Sequence, residues 1–446
     1  MPRLCLPRAL NNSKRIKLLQ IGASWFGYQH SGLERYYAEL LIHLPVLGTD
    51  VIGLVYELKE APDVNGLTLV SFGAQDKSLL RKFLDQRRIV GKYLNNGVDL
   101  VVSHCTPSLF PSLVDLRDTP LICHFHGPRY LERTLEGANA VSVQLSKFVE
   151  RKVYRRADHV ITLSSYMKRV LVETYGFPEE RVSIVPGGVN LHEFKQSLSR
   201  ADARERLELP EGRPIILTVR RLEHRMGLHN LIEAMREVVR AYPDVLLLIV
   251  GKGALQKELA QHIESSSLAS NVRLAGAVSD PMLRLLYRAA NFSIVPTTAY
   301  EGFGLILVES LACGTPALGT PQGAIPEVLG PLSESLILES AAPQHLGDGM
   351  LEALGGKRVL PSSEQCETYA ARNYAWPVIA SKVCHVYRKV LSAGGPSGAQ
   401  IARSCAIPDR QNASESLRPP VSGTGVRTGF LGTQYEISYG QASGRG

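Results

Sequence analysis

The chain has 446 residues, enough for about two to three ordinary domains, and its 44% hydrophobic and 21% charged content is globular and not disordered. No apolar run reaches the ~18 residues of a membrane span, and the basic start MPRLCLPRALNNSKRIKLLQIG has no continuous apolar stretch before Ile16, which argues against a signal peptide. The net charge of +8 suits nucleic acid, a membrane surface or anionic small molecules without choosing among them, while seven scattered cysteines, with no C-x-x-C and no histidine cluster at metal spacing, fit reduced thiols in a cytoplasm.

Residues 1–15 read as an N-terminal extension. RIKLLQIG then reads as a strand and GLERYYAELLIHL as a helix, with apolar residues at helical spacing. VIGLVY, LTLVSF, DLVVSH, PLICHFHG, HVITLSS and VSIVPGGV are further strands, and SLLRKFLDQRRIVGKYLNN is one of the helices between them. Strands alternating with helices predict a parallel sheet covered on both faces. After the polar stretch KQSLSRADARERLELPEG the pattern restarts. PIILTV, VLLLIV, NVRLAGAV, FSIVPT, TPALGT and SLILES read as strands, and LHNLIEAMREVVRAY as a helix.

Two doubly wound Rossmann-like domains are expected, over 16–195 and 196–375. A final helix over 376–391 and a Gly-, Ser- and Pro-rich tail over 392–446, expected to be disordered, complete the chain. Such sheets place ligands outside the carboxyl ends of their strands, so the cleft between two of them is the natural site. The sequon Asn291-Phe292-Ser293 falls inside an expected buried strand and reads as chance.

Which chemistry the cleft performs is narrowed by what is missing. IGASWFG after the first strand lacks G-x-G-x-x-G. GKGALQ lacks the sixth glycine, and Lys252 is followed by Gly253 and not by Ser or Thr. Hydride transfer and P-loop phosphoryl transfer therefore lose support. No Asp-x-Asp occurs, so a metal-held diphosphate is not expected.

EGFGLILVESLACG is the most informative stretch. A helix is predicted to begin near Gly304 or Leu305 and to stop at Gly314. Its first-turn amides lack intrahelical partners and attract anions, and Gly302 and Gly304 remove Cβ atoms from the approach. Glu301 and Glu309 are the two acids of the segment. A capped core helix with a solvated Glu309 is the plain alternative.

In their order along the chain, SGLERYYAELLIHL, LICHFHGP, RRADHVITLSSYMKRVL, VSIVPGGVNLHEF, ILTVRRLEHRMGLHNLIEAM, LLIVGKGAL, LYRAANFSIVPT, EGFGLILVESLACGTPALGT and GAIPEVL resemble one family. It is the retaining GT-B glycosyltransferases of family 4, over about Ile16 to Leu391. The resemblance implies two Rossmann-like domains, a final helix crossing back to the first, and transfer of a sugar from a nucleotide-sugar donor to a hydroxyl acceptor with retention. It implies that Glu301 binds donor-sugar hydroxyls, that the backbone of Gly302, Phe303, Gly304 and Leu305 meets donor oxygens, and that Glu309 takes the ribose. Arg221 matches the family arginine. Where a lysine usually precedes the glycine stands Met226, one position after Arg225, so Arg225 is the candidate second cation. His126 matches the histidine beside the reacting sugar, and His124 shares its side of the strand. Gly32 matches the second glycine of the Gly-Gly loop, with Ser31 at the first, and Gly253 lies on the donor side. Glu327 in GAIPEVL reaches the donor or caps a helix.

The implied mechanism is front-face displacement stabilised by cations, with no cofactor and no metal. A nucleotide-sugar epimerase and a catalytically silent sugar or nucleotide binder are the competing readings. The acceptor is expected to be a saccharide or a lipid-linked sugar, and no motif supports nucleic acid. LSKFVERKVYRRADH places Lys147, Arg151, Lys152, Arg155 and Arg156 on one helical stretch. It reads either as a peripheral contact to an anionic membrane or as a solvated face.

Overall fold

The structure, a computed structural model, describes residues 15–393 except 26–31, 57, 59–60, 74–75, 77, 136 and 196. Of the expected N-terminal extension only Arg15 is described, and of the expected tail only Ser392 and Ala393; Ser31 lies outside the described residues.

Near-continuous apolar runs form the strands, as a sheet buried on both faces requires. The first sheet holds β1 (Ile16–Ser24), β2 (Thr49–Tyr56), β3 (Leu67–Ser71), β4 (Leu100–Ser103), β5 (Leu121–Phe125), β6 (His159–Thr162) and β7 (Val182–Ile184). They are parallel, in the order β3-β2-β1-β4-β5-β6-β7. Its helices are α1 (Gly32–His43), α2 (Leu79–Asn95), α3 (Thr106–Leu109), α4 (Arg129–Leu135), α5 (Ala140–Arg156) and α6 (Ser165–Tyr175). One face packs on α2, α5, α6 and the 3-10 segment Phe110–Leu116. The other packs on α1 and on the last described helix of the chain.

The second sheet holds β8 (Ile215–Val219), β9 (Leu246–Val250), β10 (Val272–Gly276), β11 (Phe292–Val295) and β12 (Ala317–Gly319). These too are parallel, in the order β10-β9-β8-β11-β12. Around it lie α7 (Leu191–Phe194), α8 (Arg200–Arg206), α9 (Leu228–Ala241), α10 (Gln256–Ser265), α11 (Asp280–Ala289), α12 (Leu305–Ala312), α13 (Ile325–Leu329), α14 (Pro343–Leu354) and α15 (Ser363–Tyr374). The last described helix, α16 (Trp376–Ser392), returns to the first half. Its Trp376, Ile379, Val383 and Tyr387 join α1 in one core.

One local expectation changes. SLILES is not a strand: Glu334–Leu336 is a 3-10 turn, and only Ile337 bridges Gly319. The polar stretch before β8 contains α8, started by a Ser199–Asp202 capping box. Arg204 of α8 is buried and donates to Ala289 O and Asn291 Oδ1. Asn291 Oδ1 also accepts the Ile215 amide at 2.8 Å, which gives the sequon asparagine a structural task. The five described cysteines are free and buried.

In each sheet the chain order reverses once, at β1/β4 and at β8/β11. The carboxyl ends of those strands are where an open α/β sheet receives its ligand.

Candidate active site

At the β8/β11 reversal, hydrogen bonding continues past β8: Arg220 N donates to Val250 O and Leu222 N to Lys252 O. The chain stays extended, so neighbouring side chains point to opposite faces. Arg220 turns inward and is buried, while Arg221 turns outward, half exposed, and pairs with Glu223 at 2.8 Å. Arg220 Nη2 lies 2.7 Å from Glu301 Oε2 and also donates to Thr297 Oγ1. Burial pushes the Glu301 carboxyl up. The Arg220 charge and hydrogen bond, with Arg225 and Thr297, outweigh it and hold Glu301 below the ordinary carboxylate value. Arg225 lies partly buried beside this pair, donates to Tyr300 O at 3.3 Å, and receives Thr298 N on its carbonyl at 3.0 Å.

The segment after Glu301 is built for close approach. Tyr300 has φ 51°, an uncommon conformation for a residue with a Cβ, and it aims the following carboxylate at Arg220. Gly323 (φ 61°) lies against the Glu301 backbone, where a Cβ would come 2.2 Å from the Glu301 carbonyl oxygen, and Ala324 N donates to that oxygen. Gly304 (φ 79°) is the N-cap of α12, and Gly314 (φ 73°) follows its end. Glu309, in the second turn of α12, is buried. Its carboxylate accepts from Tyr287 Oη at 3.4 Å and lies 3.6 Å from Arg35 Nε. Burial pushes its carboxyl above the ordinary value, and Arg35 only partly offsets this.

The carboxyl edge of the first sheet carries neutral groups instead. His104, His124 and His126 follow β4 and end β5, with His104 and His124 stacked at 4.2 Å. His124 Nδ1 meets Tyr36 Oη at 3.2 Å and Nε2 meets Tyr387 Oη at 3.0 Å, while His104 Nε2 meets Gln20 Oε1 at 2.9 Å. Burial pushes the His126 pKa down to about 4 and those of His104 and His124 well below the ordinary value, so all three are neutral at pH 7. His126 Nε2 has no hydrogen-bond partner among the described residues. Ligand-capable nitrogens of these three lie within 4.8 Å of one another, a grouping absent from the linear sequence. Their rings lie within 16–27° of parallel, and both His124 nitrogens are already engaged by the Tyr36 and Tyr387 hydroxyls.

Four contacts join the halves around this space. Ser164 Oγ donates to Gly302 O at 2.9 Å. Glu327 accepts the first-turn amides of α6, from Ser165 and Tyr166, at 2.7 and 2.8 Å, so it caps a helix of the other half. Arg35 of α1 reaches Asp280 at 2.8 Å as well as Glu309. Arg225 Nη2 lies 3.5 Å from Glu132 of α4.

The predicted residues therefore divide. Glu301, Arg225 and His126 converge on the cleft, and Glu309 lies under Arg35. Gly302 does clear space, but for the first half: a Cβ there would come 3.1 Å from His126 O. Gly253 packs on the Leu222 backbone, and Phe303 is core, set against Gly187 and Tyr374. Leu305 approaches Gly32, with 3.3 Å left for a Cβ, so the starts of α1 and α12 meet. Arg221, the residue that motif matching selects, is half exposed and pairs with Glu223, while its neighbour Arg220 is the one bonded to Glu301. Arg220, Thr297, Arg35, Glu132 and His104 escaped sequence reading. Only Arg220 left a signal, as the other member of an adjacent pair on an alternating strand.

"Glycosyltransferase Family 4" matches residues 30–193 and "Glycosyl transferases group 1" matches residues 199–373. A phosphatidyl-myo-inositol mannosyltransferase of Mycobacterium tuberculosis is 28% identical over 69% of this chain and 78% of its own length. A D-inositol 3-phosphate glycosyltransferase of Segniliparus rotundus is 26% identical over 63% of each chain. Among solved structures, a sucrose-phosphate synthase from Thermosynechococcus elongatus aligns with TM-score 0.70 at 21% identity, over 85% of this chain and all of its own. HepE of Anabaena, solved with UDP and glucose, aligns with TM-score 0.66 at 18% identity, over 84% of this chain and all of its own. With each half matched in sequence and the pair matched in fold, the chain belongs to the GT-B glycosyltransferases of family 4.

Proposed function

We propose that this glycosyltransferase takes its sugar from a nucleotide-sugar donor and passes it, with retention at the anomeric carbon and without a metal ion, to a hydroxyl of a saccharide or lipid-linked acceptor. The observation that carries the reading is the buried Arg220–Glu301 pair at the β8/β11 reversal, with Arg225 beside it. A departing nucleoside diphosphate gathers negative charge. Arg220, Arg225 and the first-turn amides of α12 are fixed positive groups that stabilise it without reorganising. Glu301 is anionic and already accepts from Arg220 and Thr297, which suits a hydroxyl binder better than a nucleophile. Retention then follows from front-face attack. The acceptor oxygen bonds to the anomeric carbon on the side from which the diphosphate leaves, and its proton passes to the departing phosphate oxygen. His126, neutral and with Nε2 unpartnered, is placed to hydrogen-bond the sugar or the incoming hydroxyl. Glu309 serves the ribose once Arg35 gives way to it.

UDP in the Anabaena structure and inositol in the names of the relatives make UDP-sugars and polyol or inositol-lipid acceptors the first compounds to try. A thermal-shift screen against UDP-, GDP- and ADP-sugars with EDTA present tests the donor. A saturating donor at a hundred times its Kd raises the midpoint by about 5 °C, and Glu309→Gln removes most of that rise. No shift with any nucleotide sugar, or a shift that EDTA abolishes, contradicts the reading. NMR of the first product anomer tests retention.

A further inference from the structure

We propose that the outer surface formed by α2, the 3-10 segment Phe110–Leu116, α4 and α5 is a docking face for an anionic lipid bilayer. The first observation is where exposed apolar side chains fall. Of thirteen large hydrophobic residues exposed among those described, nine lie on these elements. Leu79, Leu80, Phe83 and Leu84 open α2, with Leu79 84% and Leu80 69% exposed. Val141, Leu145 and Phe148 form one stripe along α5, at a spacing that repeats every three to four residues. Val114 and Leu135 complete the set. These elements share one face of the first sheet: α2 and α5 both pack on the 3-10 segment, and the Phe110 and Phe148 rings lie 6.0 Å apart.

The second observation is charge. α2 and α5 together carry ten Lys or Arg residues against two acids, Asp85 and Glu150, and Glu150 is buried. On both helices the apolar residues come first and most of the cations after, through Arg88 and Lys92 on α2 and Arg151, Lys152 and Arg155 on α5, while Arg87 pairs with Asp115 of the 3-10 segment. An acidic protein partner would be met by the cations but not by an apolar band of this breadth. A bilayer interface meets both, with apolar side chains entering the headgroup boundary and cations on anionic headgroups.

The third observation is direction. Every strand of the sheet is parallel, so helices that return from strand ends begin at its carboxyl edge. The apolar starts of α2 and α5 therefore lie toward the edge that carries His126 and Glu132, and the cationic ends lie away from it. A protein docked this way presents the acceptor side of its cleft to the membrane. That consequence rests on the transfer reading above, whereas the docking itself does not. No described helix is long and apolar enough to cross a membrane, so the contact is peripheral.

The test is co-sedimentation of the full chain with sucrose-loaded vesicles of phosphatidylcholine alone or with about a third phosphatidylglycerol. Binding is expected only to the anionic vesicles, and it should weaken as salt rises toward half molar, roughly where exposed charges are screened within a few ångströms. Leu80→Ser with Leu84→Ser, and separately Arg88→Glu with Lys152→Glu, should each lower partitioning about ten-fold without moving the unfolding midpoint. Absence of wild-type binding to anionic vesicles, or unchanged binding by both double variants, overturns the proposal. So does light scattering in which the leucine variant only dissociates a dimer while vesicle binding persists, since the apolar band is then a contact between copies. Each result is independent of the nucleotide-sugar screen, so either reading can fail alone.

Discussion

The two sheets end toward the same cleft, yet their carboxyl edges are furnished in opposite ways. The second sheet ends in charge: Arg220 and Glu301, buried and paired, with the partly buried Arg225 beside them. The first ends in neutral rings, with three histidines held below their ordinary pKa by burial and tied through His124 to Tyr36 and Tyr387. A diphosphate leaves as an anion and needs fixed positive charge, whereas an acceptor hydroxyl arrives neutral and needs orientation. Under the proposed nucleotide-sugar transfer, this difference gives the leaving group to the second half and the incoming group to the first.

Removing the charged edge should cost most. Arg220→Ala should lower turnover roughly 10²–10³-fold, the loss expected when one fixed stabiliser of developing charge is deleted. It also strands a buried carboxylate, so urea unfolding should show a loss of about 3–5 kcal/mol. Arg220→Lys separates the two effects, keeping the charge while losing the forked contact to Glu301 and Thr297. An Arg220→Ala enzyme with wild-type turnover would erase the distinction between the edges.

On the neutral edge, His124→Leu leaves the Tyr36 and Tyr387 hydroxyls without their shared partner. It should destabilise the fold by about 1–3 kcal/mol while changing turnover far less than Arg220→Ala does. Equal losses of turnover in the two variants would mean that the network takes part in the chemistry and not merely in holding His126.

The edges should also respond differently to acid. Histidines whose folded pKa lies below the unfolded value of 6.5 contribute stability that is complete above pH 6.5 and is lost as pH falls from there toward the folded pKa. Glu301, held below 4.5, keeps its contribution until lower pH. Glu150, pushed up to about 7 by burial, works in the opposite sense. The histidine contribution is therefore the difference between wild type and His104→Asn in urea titrations at pH 7.5 and 5. The variant should lose less stability on acidification, and parallel curves would contradict the burial argument. Smallest of all, Arg221→Ala should alter stability and turnover by under about 0.5 kcal/mol, as an exposed pair with Glu223 implies.

Much of this comparison was legible in the sequence. Alternating apolar runs and helical periods placed both sheets, and EGFGLILVESLACG gave the bounds of α12 to within a residue of Leu305–Ala312. What stayed hidden depends on contacts between distant segments. Tyr387 meets His124 across 263 positions, and Gln20 meets His104 across 84, through strand order that no local pattern encodes. Arg35 and Glu132 belong to one half and act on the other, so their own surroundings in sequence carry no sign of it. SLILES reads as a strand because its apolar residues fit one, but only Ile337 finds a neighbour to bridge. The Arg220/Arg221 choice turns on a single step of strand alternation, which flips the side chain to the other face.

That step also offers the most direct test. Turnover of Arg220→Ala and Arg221→Ala should be compared side by side, with the nucleotide sugar that gives the largest thermal shift. The account predicts a loss of two to three orders of magnitude in the first, on the order of that for a deleted oxyanion donor, and near wild-type turnover in the second. The reverse pattern would return the leaving-group charge to Arg221 and contradict the assignment of the buried Arg220–Glu301 pair.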